Sequence, residues 1–197
     1  MSSIEILYEV LRKNNGVITT AQANKIGISN ERLNLLVRSM ALERVRFGVY
    51  GIPNEFIDEM YVSQLRRPKM VYSHETALFL LELSDRDPIN YVVTVPTGYN
   101  TSRMRNEGMV VYTVKKDLHE IGATQLMTHY GNYVNVYGLE RSICDCLRSR
   151  NQMDPAIVTD ALKRYVRRKE KNLNLLMQMA SLFKTEKLLR NYLEVLL

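Results

Sequence analysis

Apolar positions Ile4, Leu7, Tyr8 and Leu11 recur at helical spacing between polar ones, which predicts a helix over residues 4–13. Asn14-Asn15-Gly16 ends it, because Gly16 accepts the left-handed geometry of a helix cap. Val17-Ile18 reads as a short strand, residues 20–26 as a second helix and residues 29–43 as a third. The third helix has an inward stripe of Leu33, Leu36, Val37 and Met40, at i, i+3, i+4 and i+7. Thr19 or Thr20 suits the cap of the second helix and Ser29 that of the third, while Gly27 supplies the turn between them. Two helices joined by so short a turn form a helix-turn-helix, whose second helix lies in the major groove of DNA.

From Leu42 to Pro53, apolar and basic residues alternate around Gly48, which predicts a two-stranded hairpin. Such a hairpin directly after the third helix makes the winged form of the motif. Arg44 and Arg46 are expected on one face of its first strand. Residues 54–66 read as a connecting helix with Phe56, Ile57, Met60, Tyr61 and Leu65 as its apolar positions. Pro68 marks a boundary, because a proline disfavours helix at the residue before it.

A second pattern opens at Val71-Tyr72, with a helix over 73–83 that Ser73 can cap. β-Branched runs follow at residues 91–95 and 109–114. Residues 123–128 and 133–136 flank Tyr130-Gly131-Asn132 as a hairpin, and residues 97–103 read as an exposed polar loop. Helices are expected over 138–149, from Asp154-Pro155 onward, and over 172–182 and 185–196. The expected class is α+β, in three parts. A winged helix-turn-helix spans 1–53, a linker helix 54–68, and a mixed domain with a helical C-terminal portion 69–197.

Charge sharpens this reading. Lys and Arg against Asp and Glu number 10 and 7 over residues 1–70, 6 and 9 over 71–147, and 11 and 5 over 148–197. Both ends are therefore positive and the middle acidic, a distribution suited to a polyanion partner. No apolar run is long enough to span a bilayer and no basic-then-apolar leader opens the sequence, so the expected location is the cytoplasm. Cys144 and Cys146 point about 200° apart on a helix, which prevents a bridge and predicts buried, reduced thiols.

With its stripe turned inward, the third helix presents Glu31, Asn34, Leu35 and Arg38 outward, with Ser29, Asn30 and Arg32 at its start. Asn pairs with adenine, Arg with guanine, and an apolar side chain meets a thymine methyl, so these residues are the candidate DNA contacts. Thr20, Arg44 and Arg46 join them. The bland reading is the wet face of a structural unit. Lys163, Arg164, Arg167, Arg168 and Lys171 fall along one side of an expected helix, as a second candidate backbone contact or as a solvated face.

Catalytic signals are weak. His74, His119 and His129 lack metal spacing, and His74 reads as a cap or packing residue. Ser84-Asp85-Arg86-Asp87 reads as a polar turn. Neither a cofactor nor a metal is expected, and an enzyme is disfavoured. A nuclease reading would have to draw on Glu75, Asp85, Asp87, Glu107 and Asp117, whose spacing marks no metal site.

The series of motifs resembles the AbiE-type antitoxins of bacterial abortive-infection and toxin–antitoxin systems. Arg46-Phe47-Gly48-Val49-Tyr50-Gly51-Ile52-Pro53 and Tyr72-Ser73-His74-Glu75-Thr76-Ala77-Leu78 open it. Val92-Val93-Thr94-Val95-Pro96 and Gly138-Leu139-Glu140-Arg141-Ser142-Ile143-Cys144-Asp145-Cys146-Leu147 continue it, in family order over nearly the whole chain. The resemblance implies a winged-helix domain that binds inverted repeats of double-stranded operator DNA upstream of its own operon, with self-association on DNA. It implies an antitoxin domain that neutralises a nucleotidyltransferase-like toxin without a stable complex, the type IV behaviour. The alternative is a conventional winged-helix regulator whose second domain senses a small ligand.

Overall fold

The computed structural model describes residues 3–196, which form two compact units. The first comprises the chain up to Pro68 together with Met127–Val134, and the second Lys69–Leu126 and Asn135 onward.

In the first unit, α1 (Ser3–Lys13) buries Leu7 and Leu11. Asn15 and Gly16 both take positive φ, and the Gly16 N–H closes the helix on the Leu11 carbonyl at 2.8 Å. Strand β1 (Val17–Thr19) leads into α2 (Thr20–Lys25) and α3 (Asn30–Arg38). Strands β2 (Glu43–Arg46) and β3 (Val49–Gly51) complete an antiparallel sheet in the order β1-β3-β2.

Alternation along β1 and β3 sorts the two faces of that sheet. Ile18 and Tyr50 pack with Leu7, Leu11, Ala23, Ile28, Leu33, Leu36 and Leu42 from the helical side. Val17 and Val49 pack with Val62 of α4 (Glu59–Leu65) in a second cluster.

Three expectations need correction here. Helix α3 ends at Arg38 rather than near 43, because Met40 turns to φ +57 and the N–H groups of Ala41 and Leu42 both close on the Leu36 carbonyl. Met40 is therefore 82% exposed, and Leu42 enters the core where the periodicity placed Met40. The linker helix starts at Glu59 rather than 54, because Asp58 caps it by accepting from the Tyr61 N–H at 3.1 Å, and Phe56 stays exposed.

The second unit begins with β4 (Val71–Tyr72), α5 (His74–Leu80) and β5 (Val92–Pro96). Then come α6 (Ser102–Asn106), β6 (Val110–Val114) and α7 (Lys116–His119). The hairpin β7 (Ala123–Met127) and β8 (Tyr133–Tyr137) follows, its turn counted with the first unit. The five-stranded order is β6-β5-β4-β8-β7. Strand β4 runs antiparallel to β5 and parallel to β8, and β5 runs parallel to β6 with Val92 opposite Val110. Strand β5, paired on both sides, is buried throughout.

Helices α8 (Leu139–Ser149), α9 (Pro155–Arg167), α10 (Leu173–Leu182) and α11 (Glu186–Leu196) close the unit. Their core joins Leu78, Ile143, Leu147, Leu162, Tyr165, Leu176, Phe183 and Leu189. Residues 97–103 are not wholly loop, since α6 starts at Ser102.

Candidate nucleic-acid interface

The exposed face of α3 is set by its cap and its burial. Ser29, in extended backbone, accepts from the Arg32 N–H at 3.2 Å, satisfying one orphan donor of the first turn. Glu31 in the first turn and Arg38 in the last both complement the helix dipole. Leu33 and Leu36 are buried, so Asn30, Glu31, Arg32, Asn34, Leu35 and Arg38 all face solvent. Leu35 is 52% exposed, an apolar point on an otherwise polar ridge.

Helix α2 is fixed by a capping box. Thr19 Oγ1 accepts from the Gln22 N–H at 3.2 Å, and Gln22 Oε1 accepts from the Thr19 N–H at 2.8 Å. Thr20 is half-buried and is engaged with the hairpin. Its backbone N–H donates to the Gly48 carbonyl at 2.9 Å and its hydroxyl to the same oxygen at 3.3 Å. The tip of the β2–β3 hairpin is thereby tied to the start of α2.

The two hairpin arginines are separated by a β-bulge, since Arg44 lies opposite Tyr50 and Arg46 opposite Val49. Arg44 Nη2 donates to Asn34 Oδ1 at 3.2 Å and to the Tyr50 hydroxyl at 3.3 Å, linking the hairpin to α3. Asn34 Oδ1 keeps a second lone pair and its Nδ2 both hydrogens, so its base-reading edge is not exhausted. Arg46 instead pairs with Glu59, Nε at 3.1 Å and Nη2 at 2.6 Å from the same oxygen.

The unit also holds a network that the sequence pattern did not signal. Asp58 Oδ2 accepts from Thr128 Oγ1 at 2.5 Å and from Asn132 Nδ2 at 2.9 Å, and Asn15 Nδ2 donates to Asn132 Oδ1 at 2.6 Å. Residues so far apart in the chain carry no spacing that a sequence reading could detect. The network leaves Phe56 stacked on Tyr130 with ring centroids 4.1 Å apart.

The second basic set does not form one helical face. Helix α9 ends at Arg167, and Arg168 is extended at ψ 143, so Arg168 and Lys171 leave the helix axis. Arg164 pairs with Asp85, which holds that carboxyl below its ordinary value. Arg168 donates to the Leu81 carbonyl and pairs with Glu170, and Lys171 Nζ donates to the Arg168 carbonyl at 3.3 Å. Lys163 and Arg167 are exposed. The polar turn at 84–87 is a clamp on α9, because Arg86 also pairs with its capping residue Asp154 at 2.6 Å. Among the described residues, no group of three or more His, Cys, Asp or Glu side chains could hold a metal ion.

Elsewhere the second unit buries polar groups for packing. His74 has φ +49 and is fully buried, its Nδ1 2.9 Å from Ser73 Oγ and its Nε2 3.1 Å from Ser149 Oγ. Burial, then the charges of Arg148 and Arg141, bring its pKa down to about 3, so the ring is neutral and stacks on Tyr112 at 3.8 Å. Ser73 makes no side-chain cap to α5, because its hydroxyl is engaged with His74 and Thr94.

Arg141 lies between the rings of Tyr137 and Phe183, 4.0 and 3.8 Å from their centroids. It pairs with Asp145 at 2.9 Å and donates to the carbonyls of Leu118 and Ile121. Glu140 accepts from the Tyr165 hydroxyl at 2.8 Å. Both cysteines are free and buried, and burial pushes the Cys144 thiol up to about 12.

Residues 5–53 match the model of the family described as "Transcriptional regulator, AbiEi antitoxin". That match spans α1 to the end of the hairpin, so the module carrying α3 is similar to that of a family of antitoxin transcriptional regulators. The fold is similar to the crystal structure of the RV2827C protein from Mycobacterium tuberculosis. The TM-score is 0.57 at 14% identity, over 88% of this chain and 70% of that one. No curated protein matches the chain. No helix among the described residues is long and apolar enough to cross a membrane.

Proposed function

We propose that the first unit is a winged helix-turn-helix and that the chain is an antitoxin which represses its own operon. The observation that carries this reading is the solvent-facing polar ridge of α3, held to the hairpin by the Arg44–Asn34 bond. With α3 in the major groove, Asn34 and Arg38 reach base edges and Leu35 meets a thymine methyl. Asn30 and Arg32 at the helix start, and Arg44 on the wing, bind phosphates and set register. Inverted repeats upstream of the operon bind two copies. Lys163 and Arg167 add phosphate contacts from the second unit.

In this reading the second unit is the antidote to a nucleotidyltransferase-like toxin and acts without a stable complex, in phage abortive infection. Fluorescence anisotropy on the duplex upstream of the reading frame tests the DNA half. Asn34→Ala and Arg38→Ala are each expected to cost about 1–3 kcal/mol of binding and to relax specificity at one base pair. Undiminished binding by both variants refutes the groove assignment. For the antidote half, α3 variants that lose repression still rescue growth when co-expressed with the toxin; loss of rescue together with repression contradicts the division of labour.

A further inference from the structure

The turn between β7 and β8 carries aromatic side chains that the fold leaves in water, all counted with the first unit. Phe56 is 66% exposed and Tyr130 57%, and their rings are stacked with centroids 4.1 Å apart. Each ring covers one face of the other, so the pair keeps an outer ring face open to solvent. Its footing is rigid. The Thr128 N–H donates to the Asn132 carbonyl at 2.8 Å and closes the turn, while the buried Thr128 and Asn132 side chains are held by Asp58. Side chains alternate along the hairpin, so Met127 and Tyr133, the next cross-strand pair, point to the opposite face, and both are more than half exposed.

Cations stand beside this surface. Arg12 and Lys13 are exposed in the last turn of α1. Asn15, two residues beyond Lys13, donates to Asn132, two residues beyond Tyr130, which brings that helix end to the turn. Glu55, exposed over Gly16, offsets one of the two cations. Open rings beside cations suit a single-stranded nucleic acid, whose bases stack on the rings while its phosphates meet the cations. A duplex does not suit the pair, since its bases are stacked on one another and show only their edges in the grooves.

We propose that the Phe56–Tyr130 pair is a stacking platform for single-stranded RNA, with Tyr133 as a further ring and Arg12 and Lys13 as phosphate contacts. RNA is the strand because it is the nucleic acid whose loops and ends present splayed, unpaired bases for stacking. This goes beyond the groove assignment of α3 and does not rest on it. Stacking tolerates every base, so the platform reads an unpaired strand rather than a sequence.

The test follows anisotropy of fluorescein-labelled oligouridylate and oligoadenylate RNA of about 12 nucleotides titrated with the full chain, with single-stranded DNA of the same length beside them. Tyr130→Ala and Phe56→Ala are each expected to weaken RNA binding about fivefold or more, and Tyr130→Phe to keep it. Arg12→Ala with Lys13→Ala is expected to lower the log–log salt slope by up to about 1.4. Asn34→Ala with Arg38→Ala is expected to leave RNA binding intact. Undiminished binding by both ring variants, tighter binding of the DNA than of the RNA, or a self-association in sedimentation that Tyr133→Ala abolishes overturns the platform while leaving the α3 assignment standing. Loss of RNA binding in the α3 double variant, or no RNA binding by the wild-type chain, overturns it as well.

Discussion

Replacing Arg141 with Met removes one member of a buried ion pair whose partner cannot reach water. Arg141 and Asp145 side chains are each 1% exposed. Burial already pushes the Asp145 carboxyl above its ordinary value of 3.8, against the pull of Arg141 and Arg148. Loss of a partner from such a pair typically costs about 3–5 kcal/mol, a large share of the roughly 5–15 kcal/mol that holds a domain together.

The carboxylate escapes part of that penalty by taking up a proton. Each pH unit between its unfolded and folded values then costs about 1.4 kcal/mol. The folded value is raised, so stability is lost as pH rises. The proton penalty grows as pH rises from the unfolded value of 3.8 towards the raised folded value, so it is larger at pH 7 than at pH 4.5. Arg141 also helps keep His74 neutral, and its removal relaxes that effect in the same direction.

Urea unfolding of wild type and Arg141→Met at the two pH values, followed by tyrosine fluorescence, reads the difference directly. The gap is expected to be several kcal/mol at pH 7 and clearly smaller at pH 4.5. A gap of under about 1 kcal/mol at pH 7, or one equal at both values, refutes the reasoning.

Three further outcomes are expected. His74 is neutral when folded, with a pKa of about 3 against 6.5, so its contribution is complete above about pH 6.5 and lost as pH falls towards 3. Unfolding curves of His74→Gln should show a shallower fall with acid over that window; an unchanged slope contradicts this. Cys144 and Cys146 should resist iodoacetamide until the chain is unfolded, because burial keeps both thiols protonated; rapid labelling of the folded protein refutes it. Lys163→Ala with Arg167→Ala should lower the log–log salt slope of operator binding by up to about 1.8, while Arg168→Ala should act on stability through its bond to Leu81. The reverse pattern would remove the phosphate role from α9.

Much of the first unit was legible because its helices are amphipathic and its stops are chemical. Gly16, Thr19, Gly27 and Ser29 act where their side chains or backbone freedom indicate. The end of α3 was not legible, since periodicity continues through Met40 while the backbone turns there. The basic series at 163–171 misled for a related reason, because spacing assumes a helix that stops at Arg167.

Long-range pairings lay beyond the pattern altogether. Nothing in the local sequence brings Asp58 to Thr128, or parallel β4 to β8. Nor does the local sequence show that two rings and two carbonyls hold Arg141 inside. For the candidate interface, residue types and helix phase identified the exposed ridge, whereas the engagements of Thr20, Arg44 and Arg46 required coordinates.

The measurement closest to the central claim is directed cleavage from α3 itself. Glu31→Cys offers one reactive thiol on the exposed ridge, since the native cysteines are buried, and it can carry an iron chelate. The account predicts cuts clustered in each half of an inverted repeat upstream of the reading frame. Uniform background cleavage from Glu31→Cys on DNA that the protein demonstrably binds would contradict it.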